Sequence, residues 1–143
     1  MKTLWMTVGL PRSGKTTSAR GMKMPIVNPD SIRIALHGQR FIGEAEPMVW
    51  AMAKYMVAAL FEAGHDDVVL DATNTTVKRR DEWIDKRWRR MFIPMAADET
   101  ECLARAARLN DSYIVPIIEK MAAQFEPFTD SEIRDWERAG LVP

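Results

Sequence analysis

The sequence predicts a three-layer α/β fold: a parallel sheet of about four to five strands, covered by helices on both faces. Three observations carry this. Short apolar runs alternate with longer helical patterns along the chain, as βαβ units require. The first run leads straight into Gly9-Leu10-Pro11-Arg12-Ser13-Gly14-Lys15-Thr16. That stretch fits the phosphate-binding pattern of Gly, four residues, then Gly-Lys-Ser/Thr. The 143 residues are 47% hydrophobic, enough for one cored domain over 1–143 and too few for two ordinary ones. Together they predict a single domain with the P-loop NTPase form of this fold.

Residues 3–8 read as a buried first strand. The loop after it answers the needs of a bound triphosphate. Gly14 lets the backbone approach the phosphates, and successive amides then cradle the β-phosphate. Lys15 reaches the β- and γ-phosphates as a mobile charge. The Thr16 hydroxyl is placed to ligate Mg²⁺. Gly9, Pro11, Arg12, Ser13, Gly14, Lys15, Thr16 and Thr17 are therefore the expected ATP-binding residues. A helix read over residues 16–22 adds a dipole that favours anions. Arg12 stands where a small residue is commoner, and its guanidinium is read either near the phosphates or in solvent.

Residues 25–28 read as the second strand, and Asn28-Pro29-Asp30-Ser31-Ile32-Arg33 opens a helix. Asp30 lies near its start, with Arg33 one turn on and on the same face. A carboxylate at a cleft rim can accept the proton of an attacking hydroxyl. A nearby arginine can hold an anionic acceptor bidentately. The same spacing equally suits a helix-start charge with its surface ion-pair partner. Residues 46–63 read as a helix with Pro47 near its start and Gly64 as its stop. Val49, Met52, Met56 and Leu60 recur along it at helical spacing. The third strand, residues 67–71, ends in Asp71, a candidate Mg²⁺ ligand. Ala72-Thr73-Asn74-Thr75-Thr76 then places short hydrogen-bonding groups at a cleft mouth, with Thr76 able to cap the next helix.

That next helix is read over residues 77–89. Residues 78–90 hold seven basic and three acidic side chains. A solvated face laced with ion pairs is favoured there over nucleic-acid contact. Arg79 and Arg80 are the better candidates for substrate contact, and Trp83 and Trp88 read as core cover. The fourth strand spans residues 90–96. Helices follow over 99–109 and 116–125, and an end helix over 131–139 is capped by Thr129 or Asp130.

Net formal charge is zero but uneven, with 15 basic and 10 acidic residues to position 97 and 5 and 10 after it. That permits a basic substrate surface on the first two-thirds. Cys102 is the single cysteine, which rules out an intramolecular disulfide and reads as a small buried apolar residue. His37 and His65 are isolated, so a His/Cys metal cluster is not expected. The apolar N-terminal run is too short for a signal peptide, and no segment nears membrane-spanning length. A cytoplasmic protein with no membrane partner is expected.

With these residues in hand, the chain resembles the kinase domain of the bacteriophage polynucleotide 5′-hydroxyl kinase family. That domain is a small P-loop kinase related to zeta toxins and chloramphenicol phosphotransferase. The likeness runs through residues 9–20, Asn28-Pro29-Asp30-Ser31-Ile32-Arg33, Ala72-Thr73-Asn74 with Arg79-Arg80, and Val115-Pro116-Ile117. It implies an enzyme using ATP and Mg²⁺, with Asp30 as general base for the acceptor hydroxyl and Lys15 at the transferring phosphate. Arg33 and Thr73 would hold the acceptor's phosphate, with Asn74 beside them. Val115 and Pro116 would form an apolar surface near the acceptor nucleotide. A lid helix would offer an arginine to the ATP phosphates, and Arg105 and Arg108 are both eligible. The departures are Ala72, where the phage enzyme has an acid that Asp71 supplies one position earlier, and Ser31 in place of a second acid. A fused 3′-phosphatase is not expected.

The expected function is transfer of the ATP γ-phosphate to a hydroxyl of a nucleic acid or nucleotide acceptor, favouring a polynucleotide 5′-hydroxyl. A hydroxymethylated DNA base, a nucleoside or another small molecule stays open as acceptor. So does a nucleotide-binding regulatory or toxin-like module. DNA against RNA, and association into a homo-oligomer, also stay open.

Overall fold

Strand β1 (Thr3–Val8) is flanked by β3 (Asp67–Leu70) and β4 (Arg89–Pro94), and β2 (Ile26–Val27) pairs with the far edge of β3. The sheet has four strands in the order β2-β3-β1-β4 among the described residues, and every pairing is parallel. The structure is a computed structural model that describes residues 1–138, with side chains to residue 135. Thr3 sits opposite both Asp67 and Arg89, which fixes the register of the central strand. Leu4, Met6 and Val8 are buried, and so are Thr3 and Thr7 between them. Burial of alternate residues on both sides is what a central parallel strand needs.

The helices are α1 (Lys15–Gly21), α2 (Pro29–His37), α3 (Glu46–Glu62), α4 (Val77–Asp81), α5 (Glu99–Arg108), α6 (Val115–Gln124) and α7 (Asp130–Arg138). Local signals set most of their ends. The Asn28 side chain accepts from the Ser31 amide ahead of Pro29 at the first turn of α2. Thr76 caps α4 by accepting from the Arg79 amide, as its sequence position predicts. Asp98 does the same for α5 through Glu101. Of the two residues read as able to cap the end helix, Thr129 does so. Its hydroxyl accepts from the Glu132 amide while the Glu132 carboxylate accepts from the Thr129 amide, a reciprocal capping box. The expected last residue of that helix, Ala139, lies outside the described residues.

The main core joins β1, β3 and β4 to α3, and a second cluster of Leu10, Cys102, Ala106 and Ile118 lies under α5 and α6. The buried stripe of α3 is Val49, Ala53, Val57 and Phe61. The expected Met52 and Met56 are instead exposed. This helix is apolar all round, so its composition did not select a face. Val49 and the small Ala53 are the residues that let α3 lie close on the sheet.

The expected helix over 77–89 stops at Asp81. Trp83 and Trp88 are both buried in the main core. Five residues apart on a helix, they would point about 140° away from each other. The chain therefore leaves the helix and turns. The Trp88 indole N–H donates to the Trp83 carbonyl at 3.0 Å, and the Asp85 carboxylate accepts from the Arg87 amide at 2.8 Å. Strand β4 then begins at Arg89. Both tryptophans are core, as their sequence reading favoured.

Arg80 does not face a substrate. Its guanidinium is fully buried and donates to Glu132 at 2.7 and 3.2 Å, to the Asn74 carbonyl at 3.0 Å, and to the Glu126 and Pro127 carbonyls. One side chain thus joins α4, the loop after β3 and the start of α7. Burial opposes ionisation of Glu132, but the hydrogen bonds from Arg80 and the Thr129 amide outweigh it and set its pKa below the ordinary value. Breaking such a pair from one side leaves an uncompensated buried charge. Arg80→Ala is expected to cost about 3–5 kcal/mol, read as a lowered urea midpoint. Because the Glu132 pKa is depressed on folding, this stabilisation is present above the unfolded carboxyl value and is lost as pH falls through the folded one. The difference between wild type and Arg80→Ala should therefore shrink on acidification.

Candidate active site

The loop between β1 and α1 owes its shape to two glycines. Gly14 has a φ of 97°, a left-handed conformation that side chains rarely adopt. At Gly9 an added Cβ would stand 2.6 Å from Ser13 Oγ and 2.8 Å from Met95 Cβ. Gly9 and Ser13 therefore support the loop from behind, while Pro11, Arg12, Gly14, Lys15, Thr16 and Thr17 line a cleft of about 1480 Å³. The Ser13 amide donates to the Leu10 carbonyl, closing the turn.

Lys15 Nζ donates to the Leu10 carbonyl at 2.8 Å. Burial lowers its pKa, and the charges of Asp71 and Asp30 oppose that shift. The two carboxylates thus act on Lys15 from β3 and from α2. Thr16 Oγ1 donates to Asp71 Oδ2 at 2.8 Å, and the Asn28 amide donates to the same oxygen at 2.8 Å. Thr16 and Asp71 both line the cleft, offering two hard oxygen donors side by side. That donor set fits Mg²⁺, which takes one or two protein oxygens and completes its shell with phosphate and water. Among the described residues no cluster of three or more His, Cys, Asp and Glu could cage a metal by itself.

The opposite wall is built from α2, α3 and the loop after β3. Asp30 is 84% exposed at the rim. Arg33 Nη1 donates to Asp30 at 2.7 Å, and Arg33 Nε and Nη2 form a fork on the Glu46 carboxylate at 2.9 and 2.6 Å. Burial works against the Arg33 charge, but Glu46 and then Asp30 more than compensate and raise its pKa. The surface pairing of Asp30 with Arg33 is present, and both residues also face the cleft. Glu46 was not singled out from the sequence, where it reads only as the acidic start of α3. Trp50, one turn further along α3, was not singled out either.

Thr73 lines the cleft, and its carbonyl accepts from the Gly9 amide at 2.9 Å. Asn74, expected at the acceptor, is fully buried and donates to the Thr7 carbonyl at 2.9 Å, so it braces the loop. Pro116 lines the cleft. Val115 packs instead into the second core cluster. On α5, read from the resemblance as a lid, Arg105 Nη1 donates to the Arg12 carbonyl at 3.1 Å and lies over Gly14, whereas Arg108 is 66% exposed and 3.6 Å from Glu101. Of the two eligible arginines, Arg105 is the one that reaches the phosphate loop. The Arg12 side chain turns away from that loop to Asp111 at 2.6 Å, with φ 68° at its own Cα. Arg40 and Arg12 together hold the Asp111 carboxyl well below the usual carboxylate range.

A parallel sheet whose first strand feeds such a loop, with Asp71 just past the neighbouring strand bonded to Thr16 at the start of α1, is the arrangement of a P-loop kinase-like domain, a fold that implies nucleotide binding. Residues 4–128 match the family described as AAA domain, and the chain belongs to it. A chain of the Pnkp1/Rnl/Hen1 complex is 25% identical with a TM-score of 0.66, covering 73% of this chain and 38% of its own length. The present chain thus spans well under half of that relative. A fungal RNA kinase shares the fold at 14% identity and a TM-score of 0.54, over 94% of this chain and 69% of that one. No curated protein matches the sequence. No helix among the described residues is long and apolar enough to cross a membrane.

Gly9→Ala should move the Ser13 hydroxyl or the Met95 stem and distort the loop, costing about 1–3 kcal/mol for overpacking. The expected result is a lower thermal midpoint together with weakened ATP binding in a calorimetric titration.

Proposed function

We propose that the chain is a kinase that transfers the ATP γ-phosphate to the 5′-hydroxyl of a polynucleotide. The observation that carries this reading is one cleft with two unlike walls. One wall holds Lys15, Thr16, Asp71 and Arg105, the other Asp30, Arg33 and Thr73. The first suits ATP with Mg²⁺ on residues 9–17, where the ion would be held by Thr16 and Asp71 and would neutralise phosphate charge. Asp30 is accessible, carries a charge that Lys15 senses, and suits the base that takes the acceptor proton. Lys15 and Arg105 would stabilise the charge on the transferring group. A nucleotide-binding module without transfer has no need of a carboxylate at that rim.

The acceptor wall favours an anion beside the reacting hydroxyl. Arg33, shared with or released from Glu46, would present a planar fork and Thr73 a hydroxyl, which together suit a backbone phosphate. The resemblance to polynucleotide 5′-hydroxyl kinases and the 25% identity to a chain of the Pnkp1/Rnl/Hen1 complex support the same acceptor. Labelled γ-phosphate transfer should be measured onto 5′-hydroxyl DNA and RNA oligonucleotides, nucleosides, hydroxymethylated DNA and small-molecule alcohols. Transfer confined to the last three groups moves the assignment to another acceptor. Asp30→Asn is expected to lower kcat by about 10²–10⁴-fold while ATP affinity stays within error, and wild-type turnover in that variant would reduce Asp30 to a helix-start charge. Arg33→Ala should raise KM for the oligonucleotide well beyond any change in KM for ATP, and equal effects on both substrates would argue against a separate acceptor wall.

A further inference from the structure

Trp50 is flanked by two guanidinium groups. Arg79 lies 4.1 Å from the centroid of its ring and Arg33 lies 5.8 Å from it. All three residues line the cleft. Since both cations contact one indole, their central carbons are at most about 10 Å apart. That bound admits the spacing of neighbouring phosphates along a single strand.

The two arginines differ in how they are engaged. Arg33 is held on Glu46 by two hydrogen bonds and on Asp30 by a third. Arg79 has one side-chain bond, from Nη1 to Glu82 at 2.9 Å, and both partners of that pair are about one-third exposed. Its Nε and Nη2 have no hydrogen-bond partner among the described residues. An exposed pair one turn apart on a short helix is a weak restraint. The close approach to the Trp50 ring, at 4.1 Å, is the stronger one, and it leaves Nε and Nη2 without hydrogen-bond partners among the described residues. Thr75 and Thr76 stand on the same wall.

We propose that Arg79, braced on Trp50, is a second phosphate subsite of the acceptor wall, so that the site reads a 5′-hydroxyl strand of at least two nucleotides. This rests on the polynucleotide reading above. Arg33 takes the phosphate next to the reacting nucleoside, and Arg79 takes the following one. Trp50 then serves as the spacer between two cations and not as a platform for a base, because Arg79 already covers its ring.

The test compares two acceptors, a nucleoside 3′-monophosphate and a dinucleotide carrying a 3′-terminal phosphate, each with a free 5′-hydroxyl. For wild type the ratio of kcat/KM, dinucleotide over mononucleotide, should be about 10 or more, as one added charged hydrogen bond gives. In Arg79→Ala that ratio should fall close to one, and in Arg79→Lys, which keeps the charge without the fork, it should lie between. The affinity of a 5′-hydroxyl oligonucleotide should also lose salt dependence in Arg79→Ala, its log–log slope shrinking by about 0.7. A wild-type ratio near one overturns the subsite, and so does a ratio that Arg79→Ala leaves unchanged while lowering both rates, which marks Arg79 as a structural brace. Failure of the wild type to phosphorylate either acceptor overturns the subsite, and failure on a longer 5′-hydroxyl oligonucleotide as well, with ATP still bound, overturns the polynucleotide reading itself.

Discussion

The site depends on a stitch between the carboxyl ends of β1 and β3. The Thr7 hydroxyl, fully buried, donates to the Ala72 carbonyl at 2.8 Å and accepts from the Ala72 amide at 3.0 Å. Asn74 returns a bond to the Thr7 carbonyl, and the Gly9 amide donates to the Thr73 carbonyl. These bonds begin where the ladder of the sheet ends. They hold the loop after β3 against the phosphate loop, so that Asp71 meets Thr16 and Thr73 enters the cleft. Inside the protein each bond is stronger than in water, and a lost partner leaves a buried polar group unpaired. Asn74 carries a φ of 47°, one of the few residue types that tolerates the left-handed region. Its carbonyl is held by Arg80, and Arg80 by Glu132, so the chain of constraint runs from the sheet to α7.

Electrostatics explains why the cleft can hold so many cations. Lys15 rests on a loop carbonyl, Arg105 on a loop carbonyl and the Glu101 carboxylate, Arg33 on two carboxylates, and Arg12 and Arg40 share Asp111. Each of these five has a partner within hydrogen-bonding distance, which offsets the cost of crowding like charges in a partly desolvated space. Carbonyl partners are weaker than carboxylates. Lys15 is therefore more easily redirected to a phosphate than Arg33, whose fork on Glu46 is a charged, two-bond contact. An anion at Arg33 has to share or replace Glu46, which raises the bar against weakly basic or uncharged acceptors.

Much of the nucleotide wall was legible in the sequence because it is local. The phosphate loop, Asp71 at a strand end, the Pro29 helix start and the Thr76 cap are all read within a few residues of themselves. What stayed hidden depends on contacts across long stretches of chain. Arg80 looks like any arginine in a basic run, and only Glu132, 52 positions later, makes it a core residue. The stop of α4 at Asp81 follows from two tryptophans that must both enter the core. Asn74 and Val115 sit beside residues that do face the cleft, and strand-end geometry decides which neighbour turns inward. Glu46 is invisible as a site residue until α2 and α3 lie together, since its only local signal is the acidic start of a helix.

The two walls also differ in what specifies them, and that bears on where the chemistry is decided. The nucleotide wall combines the backbone of the phosphate loop, with Gly14 at a φ of 97°, and the side chains of Lys15, Thr16, Asp71 and Arg105. It specifies a phosphate donor and little else. The acceptor wall is made by side chains alone, Asp30 and Arg33 from α2, Glu46 and Trp50 from α3, and Thr73 and Arg79 from the segment after β3. A single substitution there changes charge or reach without disturbing the sheet. Fold alone does not determine function. In this chain the separation is physical: on the proposed reading, the acceptor hydroxyl would be chosen by six side chains on three segments, held in place by the Thr7 stitch and the buried Arg80–Glu132 pair.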